Sequence, residues 1–182
     1  MTAAAVFWFT GLSGAGKSTI ACALKSRLEL KGVSVLILDG DYVRKHLHKH
    51  LGFSDSDIKQ NNLLIAKLCI NNRNKYEVIL VPIISPFKSS RQLARNMLGN
   101  EFYEVYLSVD LDTVVERDVK GLYAKAIDGE IDNLIGFSPG SVYQAPLNAD
   151  CILDTGCETE AQSLEKLYAF VVKCLSPNEL QI

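Results

Sequence analysis

The sequence predicts a three-layer α/β sandwich, in which helices cover both faces of a parallel β-sheet. The first observation is a set of five apolar runs without strict alternation, which is typical of strands buried on both faces. They cover residues 4–9, 33–38, 78–84, 102–109 and 151–153. The second observation is that helical patterns fill the stretches between the runs, and such alternation favours right-handed crossovers between parallel strands.

The helical patterns at the two ends of the chain are the clearest. In the first, Ile20, Leu24 and Leu28 repeat at one-turn spacing, and Gly32 offers a left-handed stop before the second strand. The last helix is expected to end before Pro177, because proline cannot continue a helix. Its apolar stripe comprises Ala161, Leu164, Leu167, Tyr168, Val171 and Leu175.

Two segments depart from this regular scheme. Pro82 lies inside the most apolar run and removes a ladder hydrogen bond, which predicts a bulge or a break in the ladder. Residues 117–148 are polar and rich in glycine and proline around one short helical pattern near residues 122–127, which predicts a mobile lid. Because the sequence contains neither a linker nor a repeat, we expect one domain over residues 1–182.

Composition limits the classes of partner. The chain has 182 residues, 48% of them hydrophobic, a formal charge of −2 and no block of like charges. This argues against a general nucleic-acid or anionic-membrane surface. No apolar run approaches the roughly 20 residues of a membrane span, and the start lacks a signal peptide, so we expect a cytoplasmic protein. Five scattered cysteines indicate neither a disulfide framework nor a zinc site.

A phosphate-binding motif lies between the first strand and the first helix. It reads Gly11-Leu12-Ser13-Gly14-Ala15-Gly16-Lys17-Ser18 and fits G-x-x-x-x-G-K-[ST], the P-loop. Backbone N–H groups of such a loop converge on phosphate oxygens, and the helix N-terminus adds partial positive charge. We expect Lys17 to reach the β- and γ-phosphates of ATP and Ser18 to ligate Mg²⁺.

Other segments indicate which kind of P-loop protein this is. The segment Asn74-Lys75-Tyr76-Glu77 lacks the aspartate of the guanine-binding motif N-K-x-D, which argues against a GTPase. The third strand ends in Ser85-Pro86 without the acids that a motor ATPase needs. Asp39 and Asp41 instead follow the second strand, and the carboxyl ends of parallel strands line the ligand crevice.

These two carboxylates suit phosphoryl transfer to an alcohol. The reaction needs an oriented nucleophile, a proton acceptor and a held metal ion. Asp39 is the candidate for orienting the nucleophile and accepting its proton, with a place beside the metal, and Asp41 for a water-mediated metal contact. The alternative is that one of them only caps the helix beginning near Tyr42. We keep this alternative for Asp41 and do not expect it of Asp39.

Several further segments resemble the adenylyl-sulfate kinases, which convert ATP and adenosine 5′-phosphosulfate into its 3′-phospho derivative. The resemblance covers most of the chain. It rests on Phe9-Thr10 with the P-loop through Thr19, Leu38-Asp39-Gly40-Asp41 with Val43-Arg44, Leu51-Gly52-Phe53-Ser54, Ile84-Ser85-Pro86, Glu116-Arg117-Asp118, Lys120-Gly121-Leu122-Tyr123, Tyr143, Ala145-Pro146 and Asp154-Thr155.

The resemblance implies a five-stranded parallel sheet, a small-molecule nucleotide substrate, and a lid in which Arg117 and Lys120 contact ATP. Arg44 could fork onto an anionic phosphosulfate, and the Phe53 ring could stack on adenine. Ser85 is implied as a phosphorylated intermediate, although its hydroxyl could instead position substrate or hold the chain turn. The implied substrate-binding residues are Asp41, Arg44, Phe53, Asn61, Ile84, Ser85, Lys120 and Leu134.

Three positions on the acceptor side depart from the family pattern. An arginine that the family places after Gly52-Phe53-Ser54 is Ile58 here, and the second aromatic residue of an adenine clamp is Leu134. The family run E-N-I-R-R reads Gln60-Asn61-Asn62-Leu63-Leu64. Each lost guanidinium removes hydrogen bonds worth about 1.5–3 kcal/mol.

Two explanations stay open. Lys59, Lys88 or Arg91 could compensate, or the acceptor could be a related nucleotide with a smaller or less anionic 5′ group. A regulatory module that binds a nucleotide without catalysis is a third possibility.

Three other features receive simpler interpretations. His46, His48 and His50 alternate with lysines, which predicts a solvated basic face rather than a metal site. Trp8 is predicted to lie in the core. Tyr123 could pack within the lid or contact a nucleotide. A homodimer is expected by analogy alone.

Overall fold

One parallel sheet forms the centre of the molecule. The computed structural model describes residues 3–175. The sheet has five parallel strands, as predicted, and their spatial order is β2-β3-β1-β4-β5. They are β1 (Ala5–Thr10), β2 (Val35–Ile37), β3 (Val78–Pro82), β4 (Phe102–Ser108) and β5 (Cys151–Asp154).

Helices connect successive strands and cover both faces. Gly32, with φ 80°, follows the first helix as predicted. Pro177, the expected end of the last helix, lies outside the described residues. The helices are α1 (Lys17–Glu29), α2 (Gly40–His46), α3 (Asp55–Asn72), α4 (Lys88–Leu98), α5 (Leu111–Arg117), α6 (Leu122–Ile127) and α7 (Glu160–Leu175), with a 3₁₀ turn at Gly99–Glu101.

Side chains that alternate along β1 enter two separate cores. Phe7 and Phe9 pack on one face with residues of α1 and α7. Val6 and Trp8 pack on the other face with residues of α3 and α4. Because the central strand is buried on both faces, its sequence is continuously apolar, as the first run predicted.

The predicted interruption at Pro82 is the end of a strand. Pro82 is the last residue of β3 and lies opposite Phe9 of β1. The Ile83 N–H then turns back to donate to the Val81 carbonyl at 3.0 Å, so the ladder stops there. The chain leaves the sheet at the edge where the P-loop leaves β1.

A third, smaller apolar cluster lies under the lid. Val114, Tyr123 and Leu134 are buried there, and Leu12 of the P-loop packs against them. The short helix predicted near residues 122–127 is α6. In the part of the chain that the structure describes, no helix is both long and apolar enough to cross a bilayer.

Candidate active site

Glycine shapes the P-loop at two positions. Gly16 caps α1 in the left-handed conformation, with φ 91°, which is costly for a residue with a side chain. A Cβ on Gly11 would lie 2.9 Å from the Leu107 carbonyl oxygen. The loop therefore rests directly on β4 and opens toward the N-terminus of α1.

Lys17 is buried at the base of this loop. Its Nζ donates to the carbonyl oxygens of Gly11 at 2.9 Å and Leu12 at 2.6 Å. Burial, reinforced by the positive charge of Lys120, lowers the pKa of Lys17 to about 7, against the opposing effect of the carboxylates of Asp41 and Asp39. The amine is thus poised to gain a proton when anionic phosphates approach.

Both carboxylate oxygens of Asp39 accept hydrogen bonds. Its Oδ2 accepts a hydrogen bond from the Ser18 hydroxyl at 2.6 Å. Its Oδ1 accepts the N–H groups of Asp41 at 3.0 Å and Tyr42 at 3.3 Å, which makes Asp39 the N-cap of α2. The alternative kept for Asp41, that it caps the helix, is therefore wrong, because α2 begins at Gly40 and Asp39 precedes it. Capping uses one oxygen and leaves the other beside the P-loop.

Asp41 connects α2 to the lid. Its Oδ2 accepts from Lys120 Nζ at 2.5 Å, in an exposed ion pair. The pair brings the positive charge of Lys120 to the mouth of the P-loop, close enough to influence the pKa of Lys17.

The opposite end of the site presents a cation and an aromatic ring. The Arg44 guanidinium lies 4.7 Å from the centroid of the Phe53 ring and donates to the Gly52 carbonyl oxygen. Burial lowers the pKa of Arg44, against the nearby charges of Asp57 and Asp41. Phe53 is 60% exposed, so its ring is accessible to a planar ligand.

Two adjacent asparagines of α3 lie beneath these groups. Asn61 Oδ1 is 2.8 Å from His48 Nδ1. Asn62 Nδ2 donates to the Ile58 carbonyl oxygen at 2.8 Å. His48 is buried, so the prediction of a solvated basic face is wrong for this histidine; α2 ends at His46, and the next turn folds His48 inward.

The Ser85 hydroxyl is held in a buried network. It donates to Asn62 Oδ1 at 2.6 Å and accepts from the Trp8 indole N–H at 3.0 Å. Its backbone has φ 45°, and its carbonyl oxygen accepts from Arg91. Trp8 is a core residue, as predicted. This geometry favours the alternative in which Ser85 positions the chain over a role as a phosphate carrier.

Most predicted site residues line one open cleft of about 470 Å³. Ile58 forms part of its apolar wall. The predicted residues that line the cleft are Ser13, Gly14, Gly16, Lys17, Ser18, Thr19, Asp39, Asp41, Arg44, Phe53, Asn61, Ile84, Ser85, Lys120 and Leu134.

Four predicted nucleotide-binding residues do not line the cleft. Gly11, Leu12 and Ala15 form the back of the P-loop, which rests on β4 and the lid. Arg117 donates from Nη2 to the Thr155 carbonyl oxygen at 2.9 Å, beside the loop that follows β5. Its contact with ATP stays a prediction.

The cations that could compensate for the missing arginines also lie outside the cleft. Arg91 is 3% exposed and donates to Glu104 at 2.5 Å and to the carbonyl oxygens of Ser85 and Gln144. Its guanidinium is therefore fully engaged inside the protein. Lys59 lies 4.9 Å from the Phe87 ring centroid, and neither it nor Lys88 lines the cleft.

Two tyrosines attach the lid to the rest of the site. The Tyr123 hydroxyl donates to the Ser13 carbonyl oxygen at 3.0 Å, and burial raises its pKa to about 12. The Tyr143 hydroxyl lies 2.9 Å from the Thr10 hydroxyl. Tyr123 therefore packs between the lid and the P-loop, the first of its two predicted alternatives.

Comparison with known proteins gives the same assignment along most of the chain. A family model described as adenylylsulphate kinase matches residues 3–154. The adenylyl-sulfate kinase of Halothermothrix orenii is 46% identical over 167 residues, which cover 90% of this chain and 87% of that protein. The adenylyl-sulfate kinase of Vibrio cholerae is 43% identical over 177 residues, covering 97% of this chain and 80% of that protein.

Solved structures agree with the sequence comparison. The Mycobacterium tuberculosis APS kinase CysC, solved in complex with AMPPNP and APS, superposes with a TM-score of 0.89 at 35% identity, covering 94% of this chain and 99% of that one. A gluconokinase from Sinorhizobium meliloti, at 15% identity and a TM-score of 0.62, shares the fold. Since the family model spans most of the chain and relatives above 40% identity cover nine-tenths of it, this chain belongs to the adenylyl-sulfate kinase family.

Proposed function

We propose that this protein is an adenylyl-sulfate kinase, which transfers the γ-phosphate of ATP to the 3′-hydroxyl of adenosine 5′-phosphosulfate. The observation that carries the proposal is one continuous cleft with a phosphate-binding end and a nucleotide-stacking end. Asp39 joins the two ends, because its carboxylate contacts Ser18 of the P-loop and begins the helix that bears Arg44.

ATP would occupy the P-loop end. Backbone N–H groups of the loop and the N-terminus of α1 suit the β- and γ-phosphates. Lys17 and Lys120 supply positive charge where negative charge develops on the transferring phosphoryl group. The M. tuberculosis relative was solved with AMPPNP, which supports ATP as the phosphate donor.

Adenosine 5′-phosphosulfate would occupy the other end. The accessible face of Phe53 suits stacking on adenine, and Arg44 suits an anionic 5′ group. The relative solved with APS supports this choice of acceptor.

Asp39 is placed to take part in the transfer itself. The 3′-hydroxyl oxygen forms a bond to the γ-phosphorus while the bond from that phosphorus to the β-γ bridging oxygen breaks, which releases ADP. The hydroxyl proton passes to Asp39 Oδ2, the oxygen that does not cap α2. Because Oδ1 is held by two backbone N–H groups, the orientation of Oδ2 is fixed before substrate binds.

The same residues fit a magnesium ion. Mg²⁺ is usually bound by one or two carboxylates together with substrate phosphates, so a large set of protein ligands is not required. The Ser18 hydroxyl and the Asp39 carboxylate are hard oxygen donors 2.6 Å apart, and Asp41 follows in the first turn of α2. When bound there, Mg²⁺ would neutralise charge on the phosphates.

The acceptor end contains fewer cations than the family pattern implies. Arg44 lies at this end, while Lys17 and Lys120 lie at the P-loop end; these are the cations among described residues that line the cleft. Ile58 contributes an apolar surface instead of a guanidinium. We therefore expect adenosine 5′-phosphosulfate to bind through Arg44 and the Asn61 amide, with weaker binding than an additional arginine would allow.

The test is to incubate the purified protein with Mg²⁺ and ATP, with and without adenosine 5′-phosphosulfate, and to quantify ADP and the 3′-phosphorylated product. Asp39→Asn is the control for catalysis. A parallel panel of AMP, adenosine and other nucleotides tests whether another acceptor is preferred. Faster turnover with a panel member than with adenosine 5′-phosphosulfate would contradict the proposed acceptor. A homodimer stays a prediction, which light scattering can check.

A further inference from the structure

The buried side chain of His48 is rigidly placed beside the cleft. Its backbone N–H donates to the Val43 carbonyl oxygen at 2.9 Å, and its carbonyl oxygen accepts from the Leu51 N–H at 3.0 Å. The residue is 7% exposed. The two bonds hold the main chain of His48, and its burial restricts movement of the ring away from α3.

The contact between His48 and Asn61 defines which ring nitrogen carries a proton. Asn61 presents its carbonyl oxygen, Oδ1, to His48 Nδ1 at 2.8 Å. A carbonyl oxygen accepts only, so Nδ1–H donates and the ring is protonated at Nδ1. This bond also fixes the orientation of the Asn61 amide.

The amide nitrogen of Asn61 consequently faces the cleft. Among residues 3–175, no protein group accepts a hydrogen bond from Asn61 Nδ2. No buried side-chain nitrogen or oxygen in this part of the chain lacks a partner, so Nδ2 is reachable by solvent. Asn61 lines the cleft, and two N–H donors are thus available to a ligand there.

The neighbouring asparagine provides a contrast. Asn62 uses both ends of its amide within the protein, since Oδ1 accepts from Ser85 and Nδ2 donates to Ile58. Of these two adjacent residues, only Asn61 has an amide nitrogen that donates to no group among the described residues. The difference indicates a structural role for Asn62 and a ligand-binding role for Asn61.

We propose that His48 is a positioning residue for the acceptor nucleotide: it holds Asn61 so that Nδ2 donates to a lone-pair atom of the ligand, either a ring nitrogen or an anionic oxygen. This inference rests on the proposed function of the cleft. Without His48, Oδ1 would lose its partner, and the amide could rotate to present its carbonyl oxygen to the same lone pair. Binding of the acceptor would weaken, while binding of ATP would not change.

Three substitutions separate hydrogen bonding from packing. His48→Leu fills the space without a donor. His48→Asn restores a donor at the position of Nδ1, because the asparagine Nδ2 and the histidine Nδ1 are both bonded to Cγ. His48→Gln places its donor one bond farther out, near Nε2. We expect the Leu and Gln variants to raise KM for adenosine 5′-phosphosulfate about 3- to 10-fold, the loss of one neutral hydrogen bond, with kcat and KM for ATP unchanged.

The Asn variant is expected to keep the wild-type KM. Melting temperatures of all three variants show whether any of them is merely unfolded. Wild-type KM in both the Leu and Gln variants would overturn the proposal, as would an Asn variant that folds normally and binds the acceptor as poorly as the Leu variant. An inactive wild-type protein would instead refute the proposed function.

A spectroscopic measurement tests the geometry independently of activity. In ¹⁵N spectra at pH 8, the His48 ring should be protonated at Nδ1, and Asn61→Ala should shift the Nδ1 resonance. An unprotonated Nδ1, or a resonance unaffected by Asn61→Ala, would overturn the proposal even if no substrate were known.

Discussion

Substitutions of Asp39 are expected to separate the roles of its two carboxylate oxygens. Oδ1 caps α2 through the N–H groups of Asp41 and Tyr42, and Oδ2 accepts from Ser18. Asp39→Asn keeps a capping oxygen and removes the negative charge and the proton acceptor. Asp39→Ala removes both the cap and the base.

The two losses have different magnitudes. Asparagine is as good an N-cap as aspartate, whereas alanine at this position costs about 1 kcal/mol, which lowers Tm by about 2–4 °C in a chain of this size. Loss of a general base lowers kcat by about 10²- to 10⁴-fold. We therefore expect similar activity losses in both variants and a lower Tm in the Ala variant alone.

The chain offers a matched control away from the site. Asp110 is the N-cap of α5, with Oδ1 accepting the Thr113 N–H at 2.7 Å, and it does not line the cleft. Asp110→Ala should lower the melting temperature without changing kcat, and Asp110→Asn should change neither.

Initial rates with saturating substrates and thermal melts of all four variants test the reasoning. If Asp39→Asn retained more than about a tenth of wild-type kcat, Asp39 would not be the base. If Asp39→Ala and Asp39→Asn had the same melting temperature while the two Asp110 variants differed, the Asp39 cap of α2 would not contribute to stability.

Three further predictions concern the cleft and its support. Burial holds the pKa of Lys17 at about 7, and bound phosphates would raise it. The ATP affinity measured by calorimetry should therefore level off below pH 7 and fall by up to about tenfold per pH unit above it. Lys120→Met should move the onset of this fall to higher pH, and a flat profile between pH 7 and 9 would contradict the reasoning. Ser85→Ala should lower the free energy of unfolding, measured in urea, by about 1–3 kcal/mol, because it removes two buried hydrogen bonds. The same variant should reduce kcat less than about tenfold, whereas complete loss of turnover would support a phosphorylated Ser85. Glu104→Leu should destabilise the protein by about 3–5 kcal/mol in the same assay, because it strands the buried charge of Arg91, and a loss below about 1 kcal/mol would refute that account.

Local sequence was sufficient for the fold and the phosphate-binding end. Apolar runs located all five strands because strands of a buried parallel sheet have few polar positions. The P-loop residues are contiguous, so their spacing alone indicates a phosphate site. Asp39 and Asp41 could be placed near that site because parallel strands end at one edge of the sheet.

Roles that depend on contacts between particular atoms could not be predicted in this way. The sequence left capping open for Asp41 and did not predict it for Asp39, and only the start of α2 at Gly40 assigned that contact to Asp39. Arg91 looked available to an anion until its guanidinium was found paired with Glu104.

The sequence by itself determined the layered α/β fold, the P-loop and the family, because each depends on periodicity or on contiguous residues. Tertiary structure alone decided the burial of His48, the unpaired amide nitrogen of Asn61 and the hydrogen bonds of the Ser85 hydroxyl. Those properties arise where the segment after α2, helix α3 and the segment after β3 meet. Hydrogen bonds between segments far apart in the chain leave no periodic signal in the sequence.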